Sequence, residues 1–336
     1  MWLANVHGLQ MKIEGTGTVN SHTGTKRQND QYFSPPSRRQ ALLLIDEVAQ
    51  ELAAVAGPIR DEGHGNIISY SRKIFIPLTK LCRDVCHYCT FARQPRELIH
   101  TYLSESQVLE IAWAGKERGC HEVLFTLGDK PELRYRAARE ALETLGFDTT
   151  AQYLAHIAGR VFDQTGLLPH INAGILEADE MVALREVSAS QGIMLESAAH
   201  RLSERGGPHY GSPDKQPKVR LANIELAGRL KIPFTTGILI GIGENRAERI
   251  DSLLKIRALH DRYGHIQELI IQPFRAKPDT LMAKFPEPDT PDLLWTIAVA
   301  RILFGPDMNL QAPPNLSPGV EEKLIHAGIN DWGGVS

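Results

Sequence analysis

The sequence predicts an α/β fold in which a parallel sheet closes into an eight-stranded, TIM-type (β/α)8 barrel. Short β-branched or apolar runs alternate with longer amphipathic ones, the pattern of strand, crossover helix and parallel strand. Eight such strand starts can be found, the number that closes a sheet on itself. Polar residues stand just after most of these strands, where the loops of a barrel converge on a shared site.

Residues 1 to 37 are rich in Gly, Thr, Ser, Asn and Gln and bury too little apolar surface to offset ordering entropy, so a disordered polar tail is expected there. The barrel domain is expected over 38–336. Its first helix should run from Arg39 to Ala56, closed by Gly57-Pro58. Strands are predicted at Lys73 to Leu78, Glu122 to Leu127, His170 to Ala173, Gly192 to Glu196, Phe234 to Ile240, Glu268 to Gln272, Asn309 to Ala312 and near Asp331. Glu105 to Arg118 should be a helix opened by Ser104, with Gln107 three residues on completing a capping box. Further helices are predicted at Tyr135 to Leu145, Tyr153 to Gln164, Ala178 to Val187, Val219 to Leu230, Arg246 to Tyr263, Pro291 to Phe304 and Gly319 to Ala327.

Composition is that of an ordinary globular chain. Lys plus Arg is 37 against 40 for Asp plus Glu, a net charge of -3, so no electrostatic footprint points to nucleic acid. No apolar run is long enough to span a bilayer, and the N-terminus lacks the basic-then-apolar pattern of a secretory signal. A cytoplasmic location is therefore expected, where thiols stay reduced.

Three of the four cysteines fall within eight residues, in Leu81-Cys-Arg-Asp-Val-Cys-His-Tyr-Cys-Thr90. Cys82, Cys86 and Cys89 have the spacing to hold three irons of a cubane cluster from one loop, leaving the fourth iron open. Structural zinc is the bland alternative, but it normally takes four ligands, and the fourth would have to be Cys120 or His87. A redox dithiol at Cys86 and Cys89 leaves Cys82 without a purpose. Cys120 reads as a small buried residue, and His87, His156 and His170 as packed or solvated side chains without a role.

The strand ends add Thr126, Gly128 and Asp129 after the second strand, Asn172 in the third, and Glu196-Ser197 after the fourth. Gly241-Ile-Gly-Glu244 follows the fifth, Gln272 ends the sixth and Gln311 lies in the seventh. Asp129 and Asn245 fit equally well as site residues and as nothing more than a turn residue or helix cap. Gly241-Ile-Gly243 lacks the third glycine of a dinucleotide fingerprint, because Arg246 stands in its place. Its glycines read instead as room for backbone to approach a flat ligand.

The cysteine triad with Tyr88 before its last member resembles the radical S-adenosylmethionine (SAM) superfamily. Ser71-Arg-Lys-Ile-Phe-Ile-Pro-Leu-Thr79, Cys86-His-Tyr-Cys-Thr-Phe91, Phe125-Thr-Leu-Gly-Asp129, His209-Tyr-Gly-Ser-Pro-Asp-Lys215, Ile232-Pro-Phe-Thr-Thr-Gly237 and Gln311-Ala-Pro-Pro-Asn315 narrow it. Together they resemble the CofG family of 7,8-didemethyl-8-hydroxy-5-deazariboflavin synthases, which also forms the N-terminal half of fused FbiC enzymes. The likeness runs from about residue 40 to the end.

The resemblance implies a barrel of the radical SAM kind carrying a [4Fe-4S] cluster and S-adenosylmethionine. It implies cyclisation, with loss of ammonia, of a tyrosine-ribitylaminouracil adduct supplied by a CofH-type radical SAM partner, and a one-electron donor such as flavodoxin or ferredoxin. Cys82, Cys86 and Cys89 match the cluster ligands, and Tyr88 the residue beside the adenine. Gly128 and Asp129 stand where the methionine amino group binds, and Glu196 and Ser197 fit ribose or carboxylate contacts. Gly237 to Gly241 matches the glycine-bounded fifth strand beside the adenine, and Asn172, Gln272 and Gln311 fall near the uracil or phenol. The chain departs from the family at Pro273, where asparagine is usual, and at Ala173, where proline is. The last helix of the barrel is expected to be missing, as in a fragment of a longer fused enzyme. A biotin synthase-like enzyme of the same architecture and a zinc-stabilised module without catalysis are the other readings.

Overall fold

The computed structural model of the chain describes residues 33 to 335. Residues 1–32 of the expected tail lie outside them, and the tail's boundary at 37 moves back to at least Phe33. Phe33 packs on the core, the buried Pro36 accepts a hydrogen bond from Arg257, and Ser37 caps the first helix.

The helix expected from Arg39 to Ala56 is two helices, α1 (Arg38–Leu42) and α2 (Ala49–His64). Tertiary donors take carbonyls in the break: Trp295 Nε1 binds the carbonyl of Leu44 at 2.9 Å and Arg246 Nη1 that of Ile45 at 2.7 Å. Nor does Gly57-Pro58 end the helix. α2 runs through Pro58 to Gly65, which supplies the positive φ of 56° that stops it. Proline costs a helix interior about 3 kcal/mol, and here the burial of Leu52, Val55, Ala56 and Ile59 offsets that.

The strands are β1 (Ser69–Ile76), β2 (Glu122–Thr126), β3 (Leu168–Asn172), β4 (Ser190–Gly192), β5 (Phe234–Ile240), β6 (Ile266–Pro273), β7 (Leu310–Gln311) and β8 (Asp331–Val335). Each pairs in parallel with its neighbours, and β8 pairs with β1 through Ser69 to Asp331, so the barrel is closed. The seam between β7 and β8 is a single residue pair, Gln311 with Asp331. It is stapled by buried Asn330, whose side-chain oxygen accepts from Arg301 and from the Leu310 amide, each at 2.8 Å.

Around the sheet lie α3 (Glu105–Glu117), α4 (Arg136–Leu145), α5 (Thr150–Thr165), α6 (Ala178–Arg185), α7 (Pro217–Arg229), α8 (Arg246–Tyr263), α9 (Thr290–Phe304) and α10 (Glu321–His326). The capping box of Ser104 and Gln107 opens α3 as expected. No helix among the described residues is long and apolar enough to cross a membrane.

Strand alternation separates two environments. Ile74 and Ile76, Val123 and Phe125, Ile171, and Leu269 and Ile271 face the helices and form the core. Their neighbours Lys73, Phe75, Leu124, His170, Asn172, Glu268, Ile270 and Gln272 line a cavity of about 610 Å3 inside the barrel. That is within the range of about 300 to 1,000 Å3 usual for ligand sites. A barrel interior is normally filled by branched apolar side chains, so this hollow one, with Lys73, His170, Asn172, Glu268 and Gln272 among its lining, marks a binding chamber.

Candidate active site at the carboxyl ends of the strands

β1 delivers the chain into the cysteine loop. Cys82, Cys86 and Cys89 all face one cavity of about 360 Å3, shared with Asp84, His87 and Arg93. Cys82 Sγ accepts from the Asp129 amide at 3.2 Å, and Cys86 Sγ from the Ser212 hydroxyl at 3.6 Å. Burial pushes the Cys82 thiol up to about 12 and the Cys86 thiol to about 11, so as free groups both hold their protons. A cationic metal would have to displace those protons, and the two donors are placed to steady the resulting thiolates. Cys120 is buried just before β2, at the opposite end of the barrel, and is not in this cavity.

Gly128 and Asp129 lie against the loop. A side chain on Gly128 would come 1.8 Å from the carbonyl oxygen of Leu81 and 2.8 Å from Cys82 Cβ, so the bare backbone is what lets the loop pack on β2. The Asp129 carboxylate accepts from the Ile175 amide at 3.0 Å with one oxygen, while the other is buried without a partner. Asp84, Asp129 and Asp214 bring carboxylate oxygens within 4.8 Å of one another. Burial, then the charge of Asp214, raises the Asp129 carboxyl to about 7. The site thus has an orphaned acceptor and a surplus of acid, which suits a ligand ammonium group.

Glu196 is the hub. Its backbone takes a φ of +65°, a left-handed conformation that costs a non-glycine residue about 1 kcal/mol. The strand expected to reach it stops at Gly192, and Glu196 returns to β5 through an isolated bridge to Ile238. Its carboxylate is buried and fully engaged. One oxygen accepts from the Tyr88 hydroxyl and lies 3.0 Å from His209 Nε2, and the other accepts from Lys215, with Arg220 3.9 Å away. Despite the burial, Lys215, His209 and Arg220 hold it well below the usual carboxylate range. Tyr88 packs against Leu202, Leu239, Ile242, Phe274 and Met282. Ser197, beside the hub, is buried and accepts the Ala199 amide at 3.1 Å within its own turn.

The segment from Pro208 to Lys215 straps the cysteine loop down. The Pro208 carbonyl accepts the His87 amide, Ser212 Oγ the Val85 amide, and Asp214 the guanidinium of Arg83 through both oxygens. Its residues carried no individual role from sequence, because their partners in the cysteine loop lie more than a hundred positions away. Their only signal was the Tyr-Gly-Ser-Pro-Asp-Lys string itself.

The glycines of β5 have internal explanations. A side chain on Gly237 would meet the Ile270 carbonyl oxygen at 2.1 Å, and one on Gly241 would meet the Pro288 ring at 2.4 Å. At both positions the missing Cβ makes room for neighbouring protein atoms. The turn at Gly241 is closed by Glu244, which accepts the amides of Gly241 and Ile242 and pairs with Arg249 at 2.7 Å. Asn245 acts as the N-cap of α8.

Asn172, Gln272 and Gln311 do converge, all on the barrel cavity. Sequence reasoning missed its deeper polar groups. Lys73 pairs with Glu122 at 3.1 Å, and His170, set aside as merely packed, lines the chamber with Nδ1 2.6 Å from the Ser190 hydroxyl. Burial lowers His170 to about 4, and burial beside Asp331 raises Glu268 to about 7. The alternating register of β1, β3 and β6 was the signal that could have found them.

The profile of the radical SAM superfamily matches residues 76–256. The FO synthase of Mycobacterium tuberculosis (strain ATCC 25618 / H37Rv) is 52% identical over 307 residues, covering 87% of this chain and 36% of that protein. The chain therefore spans about a third of the length of such relatives. The 7,8-didemethyl-8-hydroxy-5-deazariboflavin synthase of Methanopyrus kandleri is 50% identical over 270 residues, 80% of each chain. The crystal structure of methylornithine synthase (PylB) superposes with a TM-score of 0.69 at 20% identity, covering 89% of this chain and 82% of that one, a likeness of fold. A three-thiol cavity with no fourth cysteine and an orphaned acceptor beside it fit the cluster and the sulfonium amino acid that this superfamily uses. The chain belongs to the radical SAM superfamily, with its [4Fe-4S] cluster and S-adenosylmethionine, and within it to the family of the deazariboflavin synthases.

Proposed function

We propose that the chain is an ammonia-releasing carbon-nitrogen lyase that forms the deazaflavin chromophore Fo in coenzyme F-420 biosynthesis. Its substrate would be 5-amino-5-(4-hydroxybenzyl)-6-(D-ribitylimino)-5,6-dihydrouracil, and its other products 5'-deoxyadenosine and methionine. The observation that carries this reading is a three-thiol loop that leaves the carboxyl end of β1 and a barrel chamber lined by Asn172, Gln272 and Gln311, in a chain half identical to named deazariboflavin synthases.

When bound, the cluster and S-adenosylmethionine supply one-electron cleavage of the sulfonium and a carbon radical that removes hydrogen from an unactivated position. The protein's part is to hold. Cys82, Cys86 and Cys89 would hold the cluster, Asp129 the ligand's ammonium, and Tyr88 and Glu196 the loop that bears the cysteines. The amides of Asn172, Gln272 and Gln311 would both donate to and accept from a uracil edge. A CofH-type enzyme would supply the adduct and a flavodoxin or ferredoxin the electron, in the cytoplasm.

The test is anaerobic incubation of reconstituted protein with S-adenosylmethionine, a reductant and the adduct. Fluorescent deazaflavin and deoxyadenosine should appear together. Deoxyadenosine without deazaflavin would point to another radical SAM substrate, as in a biotin synthase-like enzyme. Zinc in place of iron and sulfide would mean a non-catalytic module.

A further inference from the structure

The chamber has two ends of different chemistry. On β6, Glu268, Ile270 and Gln272 face inward at successive alternate positions. At about 3.3 Å per residue, Gln272 at the rim and Glu268 at the floor lie roughly 13 Å apart along the strand. The thiol cavity is at the rim end, so the reacting part of any substrate must sit there, and whatever else it carries must point down.

We propose that the floor of the barrel is a subsite for a neutral polyhydroxylated chain, with Lys73, His170, Thr235 and Glu268 taking its hydroxyls. On the reading given above, that chain is the ribityl group of the adduct, and the ring system lies at the rim against Asn172 and Gln272.

The floor's own chemistry selects this class. Lys73 is already neutralised by Glu122 at 3.1 Å, so a phosphate or carboxylate would find no unpaired lysine or arginine among the lining residues and would lie beside Glu268, with the charges of Asp331 and Glu122 close by. An alkyl chain would desolvate Glu268, Lys73 and His170 and leave their remaining hydrogen-bonding capacity unmet. A hydroxyl both donates and accepts, and the floor offers both. Thr235 Oγ1 bonds Glu268 only loosely, at 3.4 Å, and His170 spends Nδ1 on Ser190, leaving Nε2 toward Gly192. A side chain at Gly192 would sit 3.2 Å from that nitrogen, so the missing Cβ helps keep the floor open. Burial beside Asp331 favours the protonated Glu268, which then serves as donor as well as acceptor.

Two fluorescent 5-deazaflavins that differ only in the side chain, ribityl or pentyl, test this by titration against the full chain. The wild type should bind the ribityl probe at least about tenfold more tightly, the equivalent of one or two hydrogen bonds left unmade by the pentyl probe. Glu268→Leu should erase the preference, Glu268→Gln should retain most of it, and Thr235→Val should reduce it with its shape nearly unchanged. Gln272→Ala should weaken both probes alike. Equal binding of the two probes by the wild type, binding of neither, or a preference that survives both Glu268→Leu and Thr235→Val would overturn the assignment. Failure of the proposed activity shows separately, as a wild type that binds the ribityl probe selectively yet makes no deazaflavin from the adduct.

Discussion

The hydroxyl of Tyr88 donates to the carboxylate of Glu196, joining the loop that bears the three cysteines to the segment that follows β4 across 108 residues of chain. Lys215 binds the other oxygen of the same carboxylate, and Lys215 belongs to the strap that fastens the loop from above. One buried anion thus fixes the loop from two sides. Its left-handed backbone is tolerated because the Gly237 carbonyl takes the Glu196 amide and the Glu196 carbonyl takes the Leu239 amide.

Breaking that hub should cost the fold more than it costs any single contact. Glu196→Gln leaves Lys215 and Arg220 buried without their counter-charge, a loss of about 3 to 5 kcal/mol. Tyr88→Phe removes the hydroxyl that bonds Glu196 and lies 2.9 Å from His209 Nε2, and should cost less, about 2 kcal/mol. Denaturant unfolding of the two variants measures the difference. Equal stabilities would mean that the carboxylate does not carry the loop.

Each of Cys82, Cys86 and Cys89 changed to alanine should abolish deoxyadenosine release and lower bound iron and sulfide after anaerobic reconstitution. Cys120→Ala should leave both unchanged, because that thiol is buried at the other end of the barrel. Iron and sulfide analysis decides this without a substrate.

Gly128→Ala tests the seat of the loop. Its Cβ would lie 1.8 Å from the Leu81 carbonyl oxygen, a backbone atom with no rotamer to yield. Overpacking of this kind costs about 1 to 3 kcal/mol or more, and the displaced loop should take up iron poorly. A variant with wild-type stability and full iron content would show that the loop has slack.

The stability of the chain should depend on pH through Glu268. Its folded carboxyl titrates at about 7, raised above the ordinary 4.5, so the stability it contributes is complete below 4.5 and is lost as pH rises through 7. Glu268→Gln has no charge to bury. The variant should match the wild type near pH 4 and exceed it at pH 8, by a few degrees in thermal unfolding. A difference that is constant across that range would place Glu268 in solvent.

Much of the fold was readable because strand and helix periods are local. The bounds of β5 and α8 agree with the sequence reading residue for residue, and the other strands differ at their ends. The first helix was misread because tertiary forces overrule local rules there. Side chains from α8 and α9 take its carbonyls at Leu44 and Ile45, and burial carries α2 through Pro58.

By itself the sequence determined the chemistry available: three thiols in one short loop, eight strand starts, and amides at the strand ends, all legible because close spacing forces proximity. Only the tertiary structure decided which distant groups meet. It set Glu196 among Tyr88, His209 and Lys215, brought Asp84, Asp129 and Asp214 together, and turned Lys73, His170 and Glu268 into one chamber. The reason is closure of the sheet. It brings residues far apart in sequence within hydrogen-bonding reach and removes them from water, and burial and partner then set the charge each one carries.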